Sequence, residues 1–335
     1  MRIWFNHWFS TAYHLIELMR EDISEDLSIV GTSKSINSVF LLNTDEKYIE
    51  PVVDAEKYIE FCIDFCKEKA IDVFVPRTHL TDIVNCQERF DDAGVKLFAN
   101  RNKKLMQIVD DKIKTYDFFR DNQIDCIPEV RTAHSVDEFI KFYDELKTDD
   151  IRLCYKLVVD EGARSFRVID DRVETSRGLY EAPGMKVSYK TAIKILESCD
   201  FSIPILIMPY LSGVEISADC LKTKTGNIII PRYKIGGRYS EIRFDRNVMD
   251  ECEKIMGLLD FDMPMNIQFR MQGESLKLLE INPRMSGGLM YSVKASGINI
   301  PSIALRQLFG EKPSWKYPDF DRKTVSFIEE PLCIS

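Results

Sequence analysis

The sequence predicts a mixed α/β and α+β protein, an α/β domain at the N-terminus followed by two α+β subdomains. Three observations carry this: β-α-β punctuation over the first hundred residues, paired strand-like runs with single helices between them afterwards, and the apolar run LKLLEINPRMSGG near the C-terminus. In the first region short apolar runs (RIWF, LSIVGTS, DVFVP, VKLFA) alternate with amphipathic patterns (STAYHLIELMRE, DAEKYIEFCIDFCKEK, TDIVNCQERFDDAG). That alternation implies a small parallel sheet covered by helices. Ligands of such sheets sit beyond the carboxyl ends of the strands. Those ends carry Asn6, His7, Ser10 and Thr11 after the first strand, and Arg77, Thr78 and His79 after DVFVP. Arg77 and His79 are the substrate candidates here. No G-x-G-x-x-G follows the first strand, so a nicotinamide site is not expected.

A helical segment from about Asn102 to Asn122 comes next, then an amphipathic helix that Thr132 or Ser135 would start. The strand-like runs LCYKLVVD and FRVI flank a polar turn, and a helix around SYKTAIKILES precedes the strand ILIMPYL. GVEISADCLKT should pair with NIIIPRYKI, and the helix RNVMDECEKIMGLL leads to NIQF and LKLLEIN. Changes of pattern alone place domain boundaries at 1–101, 102–207 and 208–335.

At 335 residues, 45% hydrophobic and 30% charged, the chain can bury a substantial core. A formal charge of −9 argues against general nucleic-acid binding, which needs clustered cations. Small molecules are the expected partners. The nine cysteines lie in apolar or helical contexts without paired CxxC spacing, which suits reduced core thiols in a cytoplasm. Cys62 and Cys66 share a helix face, yet no second pair or histidine cluster accompanies them, so packing is the better account. With no basic-then-apolar leader and no run approaching the ~20 apolar residues of a membrane span, the expectation is a cytosolic, unanchored protein.

Strand alternation sends Glu280, Asn282 and Arg284 to one face. The carboxylate and amide offer hard oxygens of the kind Mg²⁺ accepts, and the guanidinium offers a planar fork for phosphate or carboxylate. Gln268 could add an oxygen from a neighbouring strand. Lys156 lies inside an apolar strand, where a lysine is costly unless an anion meets it, and Lys112 follows two aspartates. After Lys156 the turn EGARS, with Gly162 and Ser165, could fold over an anion through its backbone N–H groups. Between residues 222 and 246 cations are in excess, suiting a polyphosphate. Arg232 and Lys234, on one strand face, are the choices within that group, with Arg243 as a further anion-binding candidate.

Taken in order, D-K, a strand lysine with a glycine-containing turn, P-Y-L-x-G-x-E-x-x-x-D, N-x-Q-F and L-E-I-N-P-R-x-S-G-G closely resemble the ATP-grasp superfamily, and most of all its carbamoyl-phosphate-synthase-like branch. The motifs span roughly residues 100 to 310. The first domain matches the Rossmann-like domain that usually precedes an ATP-grasp fold in pattern only. The resemblance implies ATP between two α+β subdomains, one of them a mobile lid. By position, Lys112 and Lys156 would contact phosphates or the adenine side. Met208, Pro209, Tyr210 and Leu211 would meet adenine through their backbone, and Glu215 would hold the ribose. Gln268, Glu280 and Asn282 correspond to ligands of one or two Mg²⁺ ions, with Mn²⁺ as a substitute. Arg284 corresponds to the residue that steadies the acyl phosphate or the substrate carboxylate, and Gly287 and Gly288 would let the backbone approach that anion; Arg232 and Lys234, chosen from the local excess of cations, would join it in catalysis.

Two features depart from the family pattern: EGARSFRV carries fewer glycines than many lid turns, and Met208 stands where many relatives have an acidic residue. The implied chemistry is ADP-forming ligation. A carboxylate takes the γ-phosphate, and an amine, thiol or similar nucleophile then displaces it. A regulatory nucleotide binder and a phosphotransferase are the alternatives, and a homodimer is the family expectation.

Overall fold

The first strand, β1 (Arg2–Asn6), is buried along almost its whole length, as befits the centre of a sheet covered on both faces. The computed structural model describes residues 1–21, 23, 26–159, 164–176, 184–329 and 331–333. The chain forms two units, one of Met1–Asp110, Val214–Phe269 and Glu280–Ser335, the other of Asp111–Gly213 and Arg270–Leu279.

Residues 1–110 supply β1, α1 (Ala12–Glu21), β2 (Ser28–Ser33), β3 (Glu46–Ile49), α2 (Ala55–Glu68), β4 (Val73–Val75), α3 (Leu80–Asn85), α4 (Gln87–Asp92), β5 (Lys96–Leu97) and α5 (Lys103–Val109). The five strands form a parallel sheet in the order β3-β2-β1-β4-β5. The helix expected over TDIVNCQERFDDAG is two short ones that meet at Cys86. Helix α2 buries Tyr58, Ile59, Cys62, Ile63, Phe65 and Cys66 on one face, and Asp54 caps it by accepting the Lys57 N–H. Burial pushes the Cys66 thiol up to about 12, so it packs rather than reacts.

The single helix expected over 102–122 is likewise two. Asp111 accepts from the Ile113 and Lys114 N–H groups and so starts a new helix, α6 (Lys112–Asp121), just after α5 ends. The second unit continues with β6 (Arg131–Ala133), α7 (Val136–Leu146), β7 (Leu153–Leu157), β8 (Arg167–Ile169), β9 (Lys186–Val187), α8 (Tyr189–Leu196) and β10 (Ile205–Pro209). Its sheet runs β6-β10-β7-β8-β9. Ser135 caps α7 and Ser188 caps α8. A core of Phe139, Tyr155, Leu196, Ile205 and Ile207, among others, lies under these helices.

The chain then gives β11 (Glu215–Thr223), β12 (Gly226–Gly236), β13 (Tyr239–Arg243), α9 (Arg246–Leu258), β14 (Met265–Gln272), β15 (Ser275–Asn282), α10 (Leu289–Ser296), α11 (Ile300–Leu308) and β16 (Arg322–Val325). The sheet order is β15-β14-β11-β12-β13-β16. The expected pairing of β11 with β12 is present, antiparallel from Glu215↔Lys234 to Thr223↔Gly226. In the first unit, residues of β1, β2 and β4 share one apolar core with β12, α10 and α11. Among the described residues no helix is long and apolar enough to cross a membrane.

Candidate active site

Strand β15 carries Glu280 and Asn282 two residues apart, and the Asn282 amide donates to Glu280 Oε1 at 3.1 Å. That bond uses the Asn282 N–H₂ and leaves its carbonyl oxygen as an acceptor. On β14, Gln268 Nε2 donates to Asn266 Oδ1 at 3.0 Å, which orients its amide in the same sense. All three side chains therefore present oxygens of the hard type a Mg²⁺ ion takes, and none is fully buried.

Behind them lies a polar cluster built around Asp219. Its carboxylate accepts from Asn266 Nδ2 (2.9 Å), Ser286 Oγ (2.7 Å) and Ser292 Oγ (2.5 Å). Arg232 Nε lies 4.0 Å from Asp219 Oδ2, and Arg232 Nη2 donates to Ser217 Oγ at 3.1 Å. Arg232, expected among the catalytic cations, is thus a buried side chain that ties β11 and β12 to the PRMSGG loop. A Cβ at Gly288 would run into its guanidinium, which is why that position has no side chain. Asn100 adds a second tie. It is fully buried and donates to the carbonyls of Pro264 and Pro283, and its own oxygen accepts the Met263 N–H at 2.8 Å. Asp219 was visible as the last letter of P-Y-L-x-G-x-E-x-x-x-D; its role was not, because its partners are non-local. Asn100 has no sequence signal of its own.

Lys234 is exposed and ion-paired with Glu215, the residue expected to hold a ribose, directly across the β11–β12 register. Arg243 Nε donates to Glu241 Oε2 at 2.6 Å, and its guanidinium stacks over Tyr233 at 4.6 Å. The structure therefore places Arg243 with a carboxylate of its own strand.

Arg284 and Arg77 each lie against Phe9. Their guanidinium carbons lie 5.7 and 5.3 Å from the Phe9 ring centroid. Gly287 packs against Phe9 and Thr11. His79 hydrogen-bonds Asp82 at 3.0 Å and packs at a 40° tilt against the Tyr58 ring.

In the second unit, Lys156, Met208, Tyr210 and Leu211 line one open cleft, with Cys154, Phe166, Leu206 and Arg270. Pairing of β10 with β7 brings this about, since Lys156 stands opposite Leu206 and Cys154 opposite Met208. Met208 and Pro209 are buried, so only backbone and the Tyr210 ring are offered there. Arg270, whose guanidinium lies 5.9 Å from the Tyr210 centroid, follows Gln268 by two residues and is a lining residue that sequence reading missed. Ser165 Oγ accepts the Leu157 N–H at 3.0 Å and so pins the end of the turn to β7. Lys112 is the first residue of α6 and half-buried. Gly162 lies outside the described residues.

Residues 202–330 match the family model described as "ATP-grasp in the biosynthetic pathway with Ter operon", which takes in β11, β14, β15 and the PRMSGG loop. Over those residues the chain resembles the ATP-grasp superfamily. The chain is 21% identical over 320 residues to the arginine-specific carbamoyl phosphate synthase large chain of Bacillus subtilis, covering 90% of its own length and 28% of that protein. It is 24% identical over 328 residues to the carbamoyl phosphate synthase large chain of Ralstonia nicotianae, covering 89% of itself and 27% of that chain. It thus spans little more than a quarter of the curated relatives it matches. Among solved structures it resembles the biotin carboxylase domain of Hydrogenobacter thermophilus 2-oxoglutarate carboxylase, in complex with MgADP, ADP and bicarbonate (TM-score 0.66, 15% identity, 96% of this chain and 73% of that one). It also resembles N5-carboxyaminoimidazole synthetase from Staphylococcus aureus complexed with ADP (TM-score 0.66, 12% identity, 93% and 78%). Those likenesses show a common mixed α/β fold.

Proposed function

We propose that this protein is an ATP- and Mg²⁺-dependent, ADP-forming ligase that activates a small-molecule carboxylate as an acyl phosphate for attack by an amine or similar nucleophile. The observation that carries the reading is the oxygen set of Gln268, Glu280 and Asn282, with Arg284 following on the same chain segment and the Asp219 cluster holding the loop in place. Its relatives' names and the ADP complexes of its structural neighbours support the same chemistry. The residues fit Mg²⁺, or Mn²⁺ in its place, because every donor is a hard oxygen and two of the amides are oriented by their own hydrogen bonds. When bound, the metal would neutralise charge on the transferred phosphoryl group.

In this reading the cleft lined by Lys156, Met208, Tyr210 and Leu211 takes the adenine and adjoining phosphate oxygens. Glu215 takes the ribose hydroxyls, and so exchanges Lys234 for the sugar. Lys112 and Lys234 add positive charge for the polyphosphate. Arg284 steadies the acyl phosphate, with the Gly287 and Gly288 backbone close by. Positioning and electrostatics supply the acceleration, and no side-chain nucleophile is required. The segments 1–101, 102–207 and 208–335 would then be a Rossmann-like preceding domain, a lid-bearing part and the metal-bearing part.

The test is Mg-dependent ADP release from ATP across a panel of small carboxylates, with and without an amine, beside Glu280→Ala. ADP release that needs one carboxylate, yields a hydroxamate with hydroxylamine and vanishes in the variant is the expected result. ATP binding without carboxylate-dependent turnover would point instead to the regulatory reading, and a stable phosphate ester to a phosphotransferase.

A further inference from the structure

The carboxyl ends of β1, β2 and β4 carry a group of side chains that nucleotide and metal binding leave unused. Arg77 opens the loop after β4. Its Nη1 donates to the His7 carbonyl at 3.1 Å, its Nε is buried without a hydrogen-bond partner, and among the described residues it has no acidic neighbour. A half-buried guanidinium that satisfies so few of its five donors is short of an acceptor. The hydroxyl of Thr11 is also buried without a partner, and lies 3.3 Å from where a Cβ on Gly287 would sit. Arg77 and Arg284 both lie against Phe9, so their guanidinium carbons are within 11 Å of each other. Two cations gathered at one aromatic ring, beside an unpartnered hydroxyl and a glycine backbone, make a receptor for negative charge.

The base of this receptor is rigid. The Arg77 N–H donates to Asn6 Oδ1 (2.7 Å), Asn6 Nδ2 donates to Tyr58 Oη (3.0 Å), and Tyr58 Oη donates to Glu50 Oε2 (3.0 Å). Asn6 and Glu50 are 0% and 1% exposed. His7 and His79, on the two loops this network joins, hold left-handed backbone at φ 34° and 56°. Non-glycine residues keep such conformations where their surroundings dictate them, a pattern common at ligand sites.

We infer that Arg77, with Thr11 and the Gly287 backbone, forms an anion subsite beside Arg284, and that the substrate carries a second anionic group besides the carboxylate that is activated. The inference rests on the ligase reading for one point: Arg284 is committed to the reacting carboxyl, which leaves Arg77 for another charge. A short dicarboxylate and a phosphorylated carboxylate both supply that chemistry.

The experiment titrates succinate, 3-phosphoglycerate and, as control, acetate into the full chain without ATP, by calorimetry, for wild type, Arg77→Gln and Arg77→Lys. At least one dianion should bind wild type ten times more tightly than acetate, lose that margin in Arg77→Gln and regain part of it in Arg77→Lys. The preferred dianion tells carboxylate from phosphate. Equal weak binding of all three anions, or dianion affinity unchanged in Arg77→Gln, overturns the subsite. In turnover, Arg77→Gln should raise KM for the anionic substrate at least tenfold and leave KM for ATP unchanged. Arg77-dependent dianion binding without any ADP release would sink the ligase reading and leave the subsite standing. ADP release with the same substrate KM in Arg77→Gln would do the reverse.

Discussion

Arg232 and Asp219 form an ion pair inside the first unit, Nε to Oδ2 at 4.0 Å, with side chains only 5% and 3% exposed. Asn266, Ser286 and Ser292 complete the carboxylate's partners. Asp219→Asn keeps the shape but removes the charge, and leaves a buried guanidinium uncompensated. The expected loss is about 3–5 kcal/mol in urea denaturation. A loss under about 1 kcal/mol would show that hydroxyl and amide contacts, not charge, hold the PRMSGG loop.

Gly288→Ala tests the same cluster from the other side. The added methyl would overlap the Arg232 guanidinium, which is buried and has no solvent to swing into. Overpacking of this kind costs about 1–3 kcal/mol. In an Arg232→Met background the penalty should shrink, because a flexible thioether yields where the pinned guanidinium does not. Strictly additive losses in the double variant would mean that the methyl and the guanidinium do not compete for space.

Lys234 and Glu215 pair across β11 and β12, and removing each in turn tests the proposed ribose role of Glu215. Lys234→Ala should shift stability by less than about 1 kcal/mol, since its side chain is 45% exposed and solvent screens the pair. Glu215→Ala should leave stability similarly unchanged and raise KM for ATP roughly tenfold, the worth of one hydrogen bond to a charged group. Unchanged KM in Glu215→Ala would remove that residue from the ribose site.

What the sequence disclosed depended on whether the information was local. Glu280 and Asn282 stand out because period-two spacing aligns them without knowledge of the rest of the fold, whereas Arg284, expected on the same face, lies beyond the strand's end at Asn282, where alternation no longer sets its direction. The β11–β12 pairing is legible for the same reason. Helix breaks at Cys86 and Asp111 were lost inside continuous amphipathic patterns, although Asp111 is a good cap. β3 was missed because its burial alternates and it sits at a sheet edge, leaving no apolar run to notice. Arg232 had the right charge for phosphate, and only its partners far along the chain, Asp219 and Gly288, assign it to the interior. Arg270 was overlooked two residues beyond a motif that sequence reading had already used.

Glu50 gives a pH prediction. Burial raises its carboxyl above the ordinary 4.5, against the opposing hydrogen bonds from Tyr58 and Thr32 and the charge of Lys34. The folded state therefore favours the protonated form. Its contribution to stability is complete below the unfolded pKa and is lost as pH rises through the higher folded value. Glu50→Gln keeps the acceptor for Tyr58 and Thr32 without the ionisation, so its stability relative to wild type should climb between pH 4.5 and pH 8. His7 Nδ1 lies 3.8 Å from Glu50 Oε1 and favours the charged carboxylate when protonated. His79 also lowers the Glu50 carboxyl, so repeating the comparison in a His7→Gln, His79→Gln background removes both imidazoles from either curve. Parallel denaturation midpoints for the two proteins across that range would mean that Glu50 ionises in the fold as readily as in the open chain, and that burial carries no net cost there.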